Sequence, residues 1–312
     1  MKFKYLVIIL CALITLVTYN VIKKVILQNQ TQGKKPYVVC TTTLISDALQ
    51  HIAQDTIHLD VLMGPGVDPH TYKPIEKDLI KIARAHLVVY HGLHLEARMA
   101  ELFEHLNSLK PTLAVTKNIE HRYLIKADDS DTIYDPHVWF NPDLWICTLT
   151  TICSTLCSMY PEHKILYQEN TQRYIQEIQK AYHDCCKQTQ KIPYKNRFLI
   201  TSHDAFSYFG KAFNFNVVSL QGINTACEAG MCDVNNIVQM IIKHKIPTIF
   251  VESCIPPRNM QAIQQRVATH RHTVNIGPEL YSDSLGNPDS PEGTYVGMLK
   301  YNVQTIVNGL HP

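Results

Sequence analysis

The feature that most constrains the fold is an uninterrupted helical pattern at 161–191, PEHKILYQENTQRYIQEIQKAYHDCCKQTQK. It has no glycine, and its only proline stands at the first position, where a helix tolerates one. Four apolar residues recur at spacings of four, three and four: Tyr174, Ile178, Ala181 and Cys185. This is the seam of an amphipathic helix, about 46 Å long at 1.5 Å per residue. We predict a strut between two lobes; a long surface helix within one domain is the alternative.

The segments on either side of this helix alternate between strand-like and helix-like patterns. Apolar and β-branched runs predict four strands before the helix, at 37–43, 57–63, 86–91 and 112–115, and four after it, at 197–202, 214–220, 248–252 and 273–276. Such alternation is typical of parallel sheets. The predicted fold is α/β with two lobes, each a mainly parallel sheet flanked by helices, joined by one long linker helix. The lobes are predicted at 37–160 and 192–312, and the linker helix at 161–191.

The N-terminus predicts export. Lys2 and Lys4 precede an apolar run from Tyr5 to Tyr19, which has the length of a signal-peptide core and is shorter than a usual membrane span. We predict a signal peptide or an uncleaved N-terminal anchor at 1–27, a polar tether at 28–36, and a periplasmic location. Disulfides form in such a compartment, and the pair expected to bridge is Cys227 and Cys232, which flank a short loop.

Charge and composition exclude one class of partner. The 312 residues carry a formal net charge of only +2, and no basic run with interleaved aromatic residues occurs. A nucleic-acid partner is therefore not expected.

Histidine or aspartate occurs in four loops that follow predicted strands, where parallel α/β sheets bind ligands. His70 follows the second strand, and His137 stands in the loop before the helix that starts after Asn141. His203 follows the fifth strand directly, and Asp283 lies in the last loop. Three imidazoles and one carboxylate suit a four-coordinate divalent transition metal. Taken singly, each residue could equally be a hydrogen-bonded loop or turn residue.

Other histidines are weaker candidates. His91 and His94 around Gly92 could bind a metal as a pair, but we expect a hydrogen-bonded cluster at a strand end. His270 and His272 flank Arg271, which would repel a cation.

Six short strings, taken in order, resemble the metal-binding motifs of the zinc/manganese/iron receptors of bacterial ABC importers. They are GVDPH (66–70), GLHLE (92–96), DPHVW (135–139), SHDAF (202–206), IFVES (249–253) and LYSDSLG (280–286). The match runs from about Tyr37 to Leu310 and most resembles treponemal and chlamydial members. The resemblance implies two α/β lobes joined by one long helix, small lobe motions, and a metal between the lobes.

The family's four metal positions fall on His70, His137, His203 and Asp283. The resemblance implies that one divalent transition metal ion, Zn²⁺, Mn²⁺ or Fe²⁺, is held there as cargo. Manganese-type members commonly have Glu at the position of His203. Zinc-selective members often carry a His-rich loop before the second ligand, whereas His121 is the only histidine in the corresponding segment 118–134 of this sequence.

We therefore expect a monomeric exported receptor, not an enzyme, that delivers a metal ion to the membrane permease of an ABC importer. A zinc-dependent hydrolase is one alternative. It would need an open coordination position and a general base, for which Glu228 and Glu252 are candidates, but no HExxH helix occurs. A surface adhesin is the other, although the chain has no adhesive repeat or cell-wall anchor.

Overall fold

The computed structural model describes residues 35–127, 133–226 and 230–311. The predicted signal peptide or anchor at 1–27, and most of the tether at 28–36, lie outside the described residues. The chain from Tyr37 onward is one compact unit. Within the described part of the chain, no helix has both the length and the apolar character needed to cross a membrane.

The first half of the chain builds a four-stranded parallel sheet in the order β2-β1-β3-β4. The strands are β1 (Tyr37–Cys40), β2 (His58–Val61), β3 (Leu87–Tyr90) and β4 (Thr112–Ala114). Three helices connect them: α1 (Thr43–Ala53), α2 (Glu76–Arg84) and α3 (Ala100–Asn107). Alternate residues of the inner strands face opposite sides, so Val38 joins one apolar cluster and Val39 another. Burial on both faces explains the continuous apolar runs in β1 and β3.

Two helices lead from this sheet into the second half. The first is α4 (Pro142–Met159), which starts at Asn141 because the side-chain oxygen accepts from the N–H groups of Asp143 and Leu144. The second is α5 (Lys164–Thr189), which has 26 residues and spans about 39 Å. A 3₁₀ turn at Pro161–His163 precedes it. The predicted range 161–191 is longer than the helix, because its first three residues form the 3₁₀ turn and its last two follow the helix end at Thr189.

Helix α5 confirms the predicted seam, since Tyr174, Ile178, Ala181 and Cys185 are all buried. The seam packs against α1 and α4 of the first half and against the last helix of the second half. The helix therefore joins the halves along its length and is not a free-standing strut.

The second half contains two pairs of parallel strands, which lie in contact through β5 and β7. One pair is β5 (Phe198–His203) with β6 (Asn216–Gln221), and the other is β7 (Thr248–Glu252) with β8 (Asn275–Leu280). The helices are α6 (Ser207–Phe213), α7 (Met231–His244), α8 (Arg258–Thr269) and α9 (Tyr295–Leu310). The predicted two-lobe α/β class is confirmed.

Strand β8 extends further than its sequence pattern indicates. The pattern predicts an end at Ile276, before Gly277 and Pro278, but the strand continues to Leu280 through a register shift. Pro278 has no N–H for the strand ladder, and an irregular register accommodates it. The extension carries the chain toward Asp283.

The predicted disulfide between Cys227 and Cys232 has one member among the described residues. Eight cysteines lie in the described residues, and no two of these eight are bonded to each other. Cys227 lies outside the described residues, so the bridge to Cys232 remains a prediction.

Candidate metal centre

The four predicted ligands meet at one point between the two halves. His70 lies between β2 and α2, and His137 lies just before α4; His203 ends β5, and Asp283 follows β8. All four side chains are buried, and one ligand atom from each lies within 4.8 Å of the others. Each half of the chain thus contributes two side chains, as the positions in the sequence predict.

The spacing of the donor atoms suits a transition-metal ion. Nε2 of His137 lies 3.3 Å from Nε2 of His70 and 3.3 Å from Oδ1 of Asp283. Oδ2 of Asp283 lies 3.3 Å from Nε2 of His203 and 3.6 Å from Nε2 of His70. Ligands at about 2.0–2.1 Å from a tetrahedral ion stand about 3.3 Å apart. Because both oxygens of Asp283 face imidazole nitrogens, five donor atoms are available.

Two carboxylates orient the imidazoles. His137 donates from Nδ1 to Oδ1 of Asp135 at 2.6 Å, and His203 donates from Nδ1 to Oε2 of Glu252 at 2.5 Å. Each bond leaves Nε2 directed at the centre of the cluster. Carboxylate–imidazole pairs of this kind fix the tautomer of metal-binding histidines and raise their basicity.

Three atoms at the centre have no hydrogen-bond partner among the described residues. They are Nε2 of His203 and both carboxylate oxygens of Asp283. A buried polar atom without a partner costs about 1–3 kcal/mol, so such atoms are rare in folded proteins. A cation at the centre would satisfy all three.

The three histidines of the cluster differ in pKa, because the buried carboxylates of Asp135 and Glu252 lie close to two of them. Burial opposes protonation of His137, but the carboxylates of Asp135 and Asp283 raise its pKa to about 9. Burial likewise opposes the charge on His203, yet Glu252 and Asp283 hold its pKa well above the usual value. The pKa of Asp283 lies well below its usual range because the nearby imidazoles outweigh the effect of burial. Burial, partly offset by Asp283, lowers the pKa of His70 to about 4.

Trp139 ties two of the ligand loops together. Its indole Nε1 donates to the carbonyl of Ser282 at 3.0 Å, and its ring contacts the His137 ring edge-on at 5.2 Å. The hydroxyl of Tyr295 donates to the carbonyl of Trp139 at 2.8 Å. His137 and Asp283, which come from different halves, are therefore held in register by neighbours outside the cluster.

Other sequence candidates lie outside the cluster. His91 is buried with Nε2 at 2.7 Å from the carbonyl of Pro136, which matches the hydrogen-bonded role expected for it, and His94 is exposed. Glu252 cannot act as a free general base. Its Oε2 faces His203, and its Oε1 accepts from the backbone N–H groups of Ser202 and His203. Glu228 lies outside the described residues.

The sequence reasoning missed the roles of Asp135 and Glu252 as imidazole partners. The signal for Asp135 was its position two residues before His137, within hydrogen-bond reach of the same loop. For Glu252 the only signal was its place at the end of β7, because the contact of β7 with β5 is not visible in the sequence.

Comparisons with known proteins agree with this geometry. Residues 38–309 match the family model ZnuA, described as zinc-uptake complex component A, periplasmic. The zinc-binding protein TroA of Treponema pallidum is 40% identical over 276 residues, covering 88% of this chain and 89% of the relative. The manganese-binding lipoprotein MntA of Bacillus subtilis is 37% identical over 273 residues, with the same coverage.

Solved structures give the same result. The periplasmic zinc-binding protein TroA from Treponema pallidum matches with a TM-score of 0.87 and 39% identity, covering 90% of this chain and 100% of that one. A manganese-bound periplasmic metal-binding protein from Candidatus Liberibacter asiaticus matches with a TM-score of 0.77 and 26% identity, covering 88% of this chain and 100% of that one. The chain therefore belongs to the ZnuA family, the solute-binding proteins of metal ABC importers.

Proposed function

We propose that this protein is an extracytoplasmic receptor that binds one divalent transition metal ion as cargo and passes it to the membrane permease of an ABC importer. The ligands are His70, His137, His203 and Asp283. The observation that carries the proposal is the buried cluster of three imidazoles and one carboxylate, in which the unpartnered atoms point at one another. Relatives named for zinc or manganese binding support it.

The same geometry favours a receptor over a hydrolase. A catalytic zinc keeps one coordination position open for water or substrate, whereas four buried protein groups surround this centre. Glu252 is engaged by His203 and has no freedom to activate water. The family consists of substrate-binding proteins, which also argues against an adhesin as the primary role. We propose that the protein performs no chemistry on its cargo.

The domain plan follows from the position of α5. The four-stranded sheet precedes this helix and both strand pairs follow it, which supports lobes at 37–160 and 192–312 with a linker helix at 161–191. We propose that 1–27 directs export or anchors the chain, that 28–36 is a tether, and that the receptor acts as a monomer in the periplasm.

Zinc should bind most tightly in vitro. Imidazole-rich sites follow the order in which zinc exceeds iron(II) and iron(II) exceeds manganese, while hard calcium and magnesium ions prefer all-oxygen sites. The relatives do not decide the physiological ion, because one is named for zinc and another for manganese. Metal supply and the permease then determine which ion is carried.

The test is metal analysis followed by titration. Protein purified without added metal should contain, or take up, one zinc ion per chain. His137→Ala should weaken zinc binding by roughly 10–100-fold or more, because the ion loses an imidazole that Asp135 orients. His94→Ala is the matched control, since it removes an exposed histidine outside the cluster. Equal affinity of the two variants would exclude His137 from the site and contradict the proposal.

A further inference from the structure

Three loops of the second half contact the short segment that precedes His70. The contacts fall on consecutive residues of the β2–α2 loop. The N–H of Gly66 donates to Oγ of Ser284 at 2.9 Å, and the thiol of Cys254 lies 3.7 Å from the carbonyl of Val67. The third contact is the shortest: Oγ1 of Thr225 donates to Oδ2 of Asp68 at 2.6 Å.

Asp68 passes this contact on to His70. Its Oδ1 accepts from the backbone N–H of His70 at 2.8 Å, and its Oδ2 also accepts from Oγ1 of Thr71 at 2.8 Å. One carboxylate therefore shapes the loop that carries a ligand and, at the same time, binds a hydroxyl of the other half. A displacement of Thr225 acts on His70 through two hydrogen bonds.

The loop that carries His70 is more exposed to solvent than the surroundings of His137. Pro65 and Gly66 in this loop are exposed, and Asp68 and Thr225 are both half-buried. Water can therefore replace the bond when the loop opens. His137, the other ligand from the first half, is fully buried and is held by Asp135 and the Trp139–Ser282 contact.

We propose that Thr225 is a positioning residue for metal retention. Its bond to Asp68 latches the His70 loop against the second half, and breaking this latch is a step in metal release. The inference rests on the proposed function, since it assumes that His70 binds the cargo. Asn224 and Ala226, on either side of Thr225, are exposed, so a partner can reach the latch from outside.

Of the three contacts, the Thr225 bond gives the cleanest test. Ser284 is adjacent to the ligand Asp283, so replacing it would disturb the site directly. A thiol is a weak hydrogen-bond donor, and Cys254 lies 3.4 Å from Ser284 as well. Among the described residues, the side chain of Thr225 makes its hydrogen bond to Asp68, which is not one of the four proposed ligands.

The experiment measures zinc release from the full-length protein into excess chelator by stopped flow, together with zinc association. Thr225→Val keeps the shape and removes the hydroxyl. We expect release to be roughly 3–10-fold faster, as for the net loss of one half-buried hydrogen bond that water can replace, with little change in association. Thr225→Ser should restore slow release, and Thr225→Ala should repeat the valine result.

Thr71→Val is the matched control. It removes the other hydroxyl on the same oxygen of Asp68, but that bond lies within the loop and does not join the halves. Release that is as fast in Thr71→Val as in Thr225→Val would overturn the latch, because local loop order would then explain both. Unchanged release in Thr225→Val would also overturn it. Failure of the wild-type protein to bind zinc would instead contradict the proposed function itself.

Discussion

At the scale of single residues, the two buried carboxylates decide how the histidines meet a cation. Asp135 and Glu252 each accept from Nδ1 of an imidazole, so Nε2 is the nitrogen left for the metal. The same carboxylates raise the pKa of His137 and of His203. An arrangement that orients the ligands for a metal therefore also attracts protons when no metal is bound, and metal and proton compete.

This competition gives a pH dependence with a definite sign. In the metal-free protein His137, with a pKa of about 9, and His203, with a pKa well above the usual value, are protonated at neutral pH. Binding must expel these protons, so zinc affinity should fall by about 10–100-fold per unit as pH drops from 8 to 6. Unperturbed imidazoles, with a pKa of about 6.5, would confine the loss to lower pH.

Calorimetry at pH 7.5 in buffers of different ionisation enthalpy counts the protons released. We expect about two per zinc ion in the wild-type protein. Asp135→Asn removes the charge that raises the pKa of His137 and should lower the count. A zinc affinity that is flat between pH 8 and 6, with no proton release, would contradict this description of the site.

Metal preference can be tested at His203. Replacing this imidazole by a carboxylate hardens the donor set and should shift preference toward manganese. His203→Glu alone would place two carboxylates together, because His203 now faces Glu252 at 2.5 Å. The better variant combines His203→Glu with Glu252→Gln, whose amide can donate to the new carboxylate and still accept from the backbone.

Competitive titration with zinc and manganese under anaerobic conditions measures the change. We expect the zinc-to-manganese affinity ratio to fall by about tenfold or more in the double variant. Glu252→Gln alone serves as the control and should leave the ratio closer to wild type. An unchanged ratio in the double variant would show that His203 does not set selectivity.

At the scale of elements, α5 stabilises the fold through a narrow seam. Its buried side chains lie on one face, and the residues between them are mostly exposed. Most charged and amide residues of the helix therefore face solvent, with the exception of Asn170, which is buried and donates to the carbonyl of Ile52. Ile178 packs in the cluster that joins the two halves. Shortening the side chain of Ile178 would therefore leave a buried cavity that solvent does not reach.

Ile178→Ala should lower the free energy of unfolding by about 2–5 kcal/mol, the range for large-to-small changes in a packed core. Gln179→Ala, at the next position but exposed, should change it by less than about 0.5 kcal/mol. Urea unfolding of the metal-free protein measures both. Similar small effects in the two variants would mean that α5 is a surface helix and does not stabilise the joined halves.

The elements were predictable where a single periodicity dominates. The apolar residue pattern predicts the buried residues in the seam of α5 and in the strands β1, β3, β5 and β7. Strand β8 was predicted too short because Gly277 and Pro278 are local breakers, and only pairing with β7 overrides them. The cluster of His70, His137, His203 and Asp283 could be predicted from loop positions and motifs. The Glu252–His203 and Asp68–Thr225 bonds could not, since each joins loops that only the tertiary fold brings together.

At the scale of the whole molecule, the contacts between the halves are of two kinds. One cluster of buried apolar side chains is continuous across both halves: Val38 in β1, Leu149 in α4, Ile178 in α5, Ile249 in β7 and Leu299 in α9. At the loop that carries His70, by contrast, the halves meet through hydrogen bonds of half-buried groups such as Thr225 and Asp68. Separating the halves at the apolar cluster would cost about 25 cal/mol for each Å² of apolar surface exposed to water. The polar contacts of the His70 loop cost less to break, because water can replace them.

We therefore predict that metal binding changes the loops and not the overall shape. Small-angle scattering of metal-free and zinc-loaded protein should give radii of gyration that differ by less than about 3% of the roughly 19 Å expected for a compact chain of this size. Amide exchange should slow on zinc binding in the β2–α2 loop, which carries His70, and remain unchanged in α5, where the seam is buried in both states. A decrease of more than about 1 Å on loading would indicate wide closure of the lobes, and the continuous apolar core would then have to break in the metal-free state.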